Sequence, residues 1–165
     1  METVYIETTV VSYLVANRSR DLVTAGQQQA TLDWWTRRRS SFYCMVSEET
    51  LAEAARGDTE QAALRLAALA GLPVLPIFAE AERLAADFLR TGALPSSARS
   101  DAIHLAVASF VQADYLLTWN CRHLANAQII RRLEREATRS GWNLPTICTP
   151  PELMGDLPYG TQSNS

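Results

Sequence analysis

Short apolar runs rich in β-branched and aromatic residues recur at 3–6, 41–46, 73–77, 114–118 and 145–148. Each is too short for a helix and predicts a buried strand. Longer patterns with helical spacing separate them. "QQQATLDWWTRRR" (27–39) predicts a helix with Leu32 and Trp35 on one side and a basic end. "SEETLAEAARG" (47–57) has Ser47 to cap it, acids in its first turn and Gly57 to stop it. "DTEQAALRLAALAGLP" (58–73) repeats the scheme, with Asp58 as cap and Gly71 and Pro73 as stop. "FAEAERLAADFLRTG" (78–92) is amphipathic and ends on Gly92. "SDAIHLAVASFVQA" (100–113) is apolar nearly all round and predicts a buried helix. "CRHLANAQIIRRLEREATRSG" (121–141) predicts one long helix with a basic outer face.

Strands alternating with helices predict an α/β fold: a parallel sheet of four to five strands covered by helices on both faces. The length of 165 residues suits one domain over residues 1–154. The polar, turn-rich end "GDLPYGTQSNS" (155–165) is expected to be a disordered tail.

Polar residues at strand ends carry the candidate chemistry, because ligands of open α/β sheets bind outside the carboxyl ends of the strands. Glu7 ends the first strand between apolar segments, and Asn120 follows the "YLLT" strand at 115–118. Glu53 is the one acid in the apolar part of its helix, and Asp101 opens the most buried helix. Each has a simpler reading alone: a solvated strand end, a surface acid, a helix-dipole partner and a turn residue. Together they predict one acidic crevice. Clustered carboxylates repel one another, and a hard divalent cation such as Mg²⁺ or Mn²⁺ relieves the repulsion. Such an ion lowers the pKa of a bound water and stabilises phosphoryl displacement. His104, one turn beyond Asp101, reads as structural, since two histidines cannot make a histidine-rich metal site.

The net charge of −3 gives no global attraction to nucleic acid, so contact with RNA needs local basic patches. Arg99, Arg122, the run 37–39 and Arg131, Arg132, Arg135 and Arg139 are the candidates. For the last group, a solvated face paired through Glu134 and Glu136 is the alternative. Cys44, Cys121 and Cys148 have no metal-ligand spacing and fit a reduced, cytoplasmic protein. No secretion signal or membrane-spanning apolar run is read in the sequence. Trp34 and Trp35 point in different directions on a helix, so both are not expected in one core, which leaves one for a dimer contact through the first-half helices.

Four blocks, in order, resemble the PIN-domain ribonucleases, in particular the VapC-type toxins of toxin–antitoxin pairs. They are "VYIETTVVSYL", "VSEETLAEAARG", "RSDAIHLAVA" and "ADYLLTWNCRHLAN", within residues 3–154. The resemblance implies a PIN-like three-layer sandwich, Mg²⁺-dependent endoribonuclease activity on RNA, a homodimer and a cognate antitoxin. It implies metal-ligand roles for Glu7, Glu53 and Asp101 and the fourth site position for Asn120, with Thr8 and Thr118 as supporting hydroxyls. The family usually has Asp at positions 7 and 120, where this chain has Glu and Asn. A catalytically weak or silent PIN-fold interaction module is therefore the alternative. A phosphotransfer domain is disfavoured because the chain has no lysine. A dinucleotide-binding domain lacks its Gly-x-Gly-x-x-Gly after the first strand.

Overall fold

The structure, a computed structural model, describes residues 1–157. Five strands form one all-parallel sheet: β1 (Thr3–Ile6), β2 (Tyr43–Ser47), β3 (Val74–Leu75), β4 (Tyr115–Leu117) and β5 (Thr146–Cys148). Their spatial order is β3-β2-β1-β4-β5. The chain starts in the middle, builds outward through β2 and β3, then crosses back to lay β4 on the other side of β1. That reversal puts the topological switch point between β1 and β4, where sheets of this kind open a crevice at the carboxyl ends.

Seven helices flank the sheet: α1 (Thr8–Val15), α2 (Leu22–Arg37), α3 (Glu48–Ala54), α4 (Thr59–Leu69), α5 (Ala79–Arg90), α6 (Arg99–Phe110) and α7 (Ala127–Arg139). The period-2 alternation of the strands divides the core in two. Tyr5, Met45 and Leu116 point into a cluster with α5, α6 and α7. Val4, Ile6, Cys44, Val46 and Leu117 point into a second cluster with α1, α2, Leu51 and Ala54 of α3, and α4. The result is the three-layer arrangement expected, with α6 buried along most of its length.

The helix expected over 121–141 begins only at Ala127. The backbone carbonyl of Asn120 accepts both Leu124 N–H and Ala125 N–H, which winds 121–125 into turns. Asn126 then caps α7 by accepting Ile129 N–H at 3.3 Å. The apolar segment after Glu7 is helix α1, an element the sequence pattern does not predict. In α2 the buried stripe contains Ala30, Thr31 and Trp34, while Leu32 is 45% exposed. Trp34 is fully buried and stacks on Phe42, so of the two tryptophans it is the core residue. Half-buried Trp35 carries Arg39 over its ring at 4.8 Å. Arg38 lies over Phe42 at 5.4 Å. These two arginines of the basic run 37–39 are cation–π partners of the protein's own rings. Gly155–Leu157 belongs to a turn; the rest of the expected tail, 158–165, lies outside the described residues.

Candidate active site

Glu7 leaves the carboxyl end of β1 and serves as N-cap of α1. Its Oε2 accepts Thr9 N–H at 3.1 Å, the Thr9 hydroxyl and the Thr118 hydroxyl at 2.8 Å. Glu7 N–H in turn donates to Leu117 O, so β1 and β4 hold the carboxylate at the switch point. Glu7 is 3% exposed. Burial raises its pKa, opposed in part by the charge on His104 and the bonds from Thr9 and Thr118.

Glu53 comes from α3 on the opposite wall. Its Oε1 accepts the Thr8 hydroxyl at 2.8 Å and a hydrogen bond from His104 Nε2. The ligand atoms of Glu7, Glu53 and His104 all lie within 4.8 Å of one another. Behind them, His104 Nδ1 meets Tyr5 Oη at 2.7 Å, and Tyr5 Oη meets Ser47 Oγ at 2.6 Å. Burial disfavours charge on His104, yet Tyr5 oxygen and the two glutamates outweigh it and raise its pKa well above the usual value. The Tyr5 hydroxyl lies within hydrogen-bond distance of both His104 Nδ1 and Ser47 Oγ, and a protonated imidazole would direct its hydrogen to Ser47. Burial pushes the Glu53 carboxyl up, but the His104 bond and charge, with Thr8 and Arg56, outweigh it and hold its pKa low.

Asp101 and Asn120 are joined to this centre by a relay. Thr118 Oγ1, which donates to Glu7, accepts Asn120 N–H at 2.9 Å. Asn120 Oδ1 accepts His123 N–H at 3.0 Å, and His123 Nδ1 meets Asp101 Oδ2 at 2.7 Å. The structure therefore brings Glu7, Glu53, Thr8 and Thr118 into direct contact chains. It ties Asp101 to His123 instead of to the glutamates, and engages the Asn120 amide in its own turn. The third group beside the glutamates is His104. Arg99 and Arg122 are exposed, on the first residue of α6 and in the 121–125 turns. The rival acids differ: Glu49 is buried and accepts the Ser100 hydroxyl, while Glu48 is exposed.

Sequence reasoning missed Thr9, His123 and the role of His104. The signal for His104 was present: a histidine in a helix apolar on every side must have a buried partner. His104 Nε2 is hydrogen-bonded to Glu53 and lies with Glu7 and Glu53 in the one cluster of possible ligand atoms among the described residues.

The donor set fits one hard cation. Glu7 Oε1 and Glu53 Oε2 accept no hydrogen bond among the described residues, and carboxylate oxygens are the ligands such ions prefer. The bonds on the other oxygen of each side chain fix the carboxylates before any ion arrives.

The sequence matches no protein-family model, and no curated protein matches it either. Solved structures do. A chain of the crystal structure of VapBC2 from Rickettsia felis, bound to a DNA fragment from their promoter, superposes with a TM-score of 0.57. The match covers 89% of this chain and 98% of that one at 13% identity. The fold is that of the VapC-type PIN toxins. Mycobacterium tuberculosis VapC20, a sarcin-ricin loop cleaving toxin, aligns over 68% of this chain and 86% of its own at 17% identity and a TM-score of 0.51. Among the described residues no helix is long and apolar enough to cross a membrane.

Proposed function

We propose that this chain is a divalent-cation-dependent endoribonuclease, the toxin of a toxin–antitoxin pair acting in the cytoplasm. The observation that carries the reading is the meeting of Glu7 and Glu53 at the β1/β4 switch point, each with one bonded and one free oxygen. The VapC-type fold supports it, as does the cleavage ascribed to VapC20.

Glu7 and Glu53 would hold the divalent cation, with Asp101 at the border of the crevice. When bound, the ion supplies a water of lowered pKa and offsets charge on the phosphate. Thr9 and Thr118 orient Glu7; Thr8 and His104 orient Glu53. His104, whose pKa is raised against its burial by Tyr5 and the two glutamates, favours positive charge behind the carboxylates, which lowers their mutual repulsion. Asn120 contributes no charge and shapes the turn that presents His123. Exposed Leu22 and Val23 at the start of α2 give the reading an apolar surface for a second copy or the antitoxin.

A weak or silent module is the second reading. The engagement of the Asn120 amide oxygen by His123 N–H favours it, as does the bond that holds one Asp101 oxygen on His123, away from the glutamates. Cleavage of a structured RNA pool with Mn²⁺, with EDTA and with Glu53→Gln separates the two. Cleavage that needs the cation and is lost in Glu53→Gln supports the nuclease. Cation binding without cleavage of any RNA favours the module.

A further inference from the structure

Helix α7 presents Arg131, Arg132, Arg135 and Arg139 to solvent. They are four of the 15 basic residues of an acidic chain, and all 15 are arginine. The acids of the helix pair with only one of the four among the described residues. Exposed Glu134 forms no ion pair among the described residues, and buried Glu136 pairs with Arg139 at 3.3 Å. Arg131, Arg132 and Arg135 have no acidic partner there, unlike Arg83 and Arg90 of α5, which pair with Glu80 and Asp87. A solvated, self-paired face is therefore not what the helix presents.

The patch also has shape. A groove of about 260 Å³ runs between Thr91–Ala93, at the end of α5, and Arg132, Arg135 and Arg139. Arg131 to Arg139 spans about 12 Å along the helix. That length matches about three phosphates of a stacked strand. The helix starts at Ala127, shortly after the turns that carry Asn120, Arg122 and His123.

We propose that the outer face of α7 is a track for the phosphate backbone of single-stranded RNA leaving the Glu7–Glu53 site. The inference rests on the ribonuclease reading for why RNA is there, but its chemistry is independent of cleavage. Guanidinium groups bind phosphate oxygens bidentately and keep their charge at every working pH. The track reads no base sequence, because backbone contacts position a strand without specifying it. Its contribution should fall steeply with salt.

The test measures binding of a fluorescent 20-nucleotide single-stranded RNA in EDTA, across a salt series, with no chemistry required. The variants are the triple R131Q/R132Q/R135Q and a charge-matched control away from the groove, R18Q/R20Q/R83Q. The triple variant should flatten the slope of log affinity against log salt by about 2, from about 0.7 for each phosphate no longer neutralised. It should bind about tenfold or more weakly at physiological salt, while the control stays near wild type. An unchanged slope, or equal losses in both variants, overturns the track. So does a triple variant that binds polyglutamate more weakly than wild type but binds the RNA equally well. Intact RNA binding through α7 in a protein that cleaves nothing would uphold the track and sink the nuclease reading; cleavage with an unchanged slope would do the reverse.

Discussion

Removing one oxygen from the buried relay behind Glu53 tests whether the relay holds the site. Tyr5→Phe keeps the ring and its packing, so it opens no cavity and removes only the hydroxyl. Tyr5 and His104 are both 0% exposed, so water cannot replace the missing oxygen. His104 Nδ1 loses its partner at 2.7 Å, and Ser47 Oγ loses the bond at 2.6 Å, keeping only a longer bond from Thr50 N–H at 3.4 Å. An orphaned buried polar group costs about 1–3 kcal/mol, towards the upper end when charged. The expected loss is about 2–3 kcal/mol, with the His104 orphan the larger part. In a domain of this size that lowers Tm by roughly 4–12 °C, at about 2–4 °C per kcal/mol. Urea unfolding of EDTA-treated protein measures it, repeated in a His104→Leu background where no Nδ1 remains to be orphaned. There the cost of Tyr5→Phe should fall to about 1 kcal/mol, the Ser47 share. A Tyr5→Phe effect under about 0.5 kcal/mol, or one of equal size in both backgrounds, would refute a relay coupling Tyr5 to His104.

Three further outcomes are expected. Glu7→Gln removes a charge whose burial is unfavourable, so the EDTA-treated variant should melt above wild type at pH 7; wild type should gain about 2.7 kcal/mol with Mn²⁺ at 100 times its Kd, and the variant should gain none. Stability should also depend on pH. His104 and Glu7 have raised folded values, so their contributions are whole below about pH 6.5 and 4.5 and are lost as pH climbs through the folded values. Glu53, lowered, contributes above about pH 4.5 and loses this as pH falls through its folded value. Unfolding in EDTA should therefore be hardest between about pH 4.5 and 6.5 and easier towards pH 9, and His104→Gln should flatten that alkaline limb in a melting series. Asp101→Asn should keep the fold and cut cleavage by about tenfold or more, while Asn120→Asp, which still accepts His123 N–H, should tighten cation binding by calorimetry.

The strand positions and the alternation of strand with helix are legible because each strand needs a period-2 apolar run and most helices carry their own cap. Ser47, Asp21 and Asp58 each accept a backbone N–H three residues on. α1 is not legible: "TTVVSYLV" is rich in β-branched residues and reads as strand, and it is helical because Glu7 caps it. The turns at 121–125 are hidden for the opposite reason, since leucine and alanine there suit a helix that Asn120 interrupts. At the site, Glu7 and Glu53 stand out because acids within apolar sequence need a reason. Asp101 and His123 meet across 22 positions and leave no local trace. His104 is visible in the sequence, but its place beside Glu53 comes from the packing of α3 against α6, which no local pattern records.

The most direct test is anomalous diffraction from crystals grown with Mn²⁺. A peak bridging Glu7 and Glu53 at about 2.0–2.2 Å, with His104 Nε2 still on Glu53 and outside the coordination sphere, is the predicted result. No peak between the two carboxylates at saturating Mn²⁺, or a peak ligated by His104 or by Asp101 alone, would contradict the account.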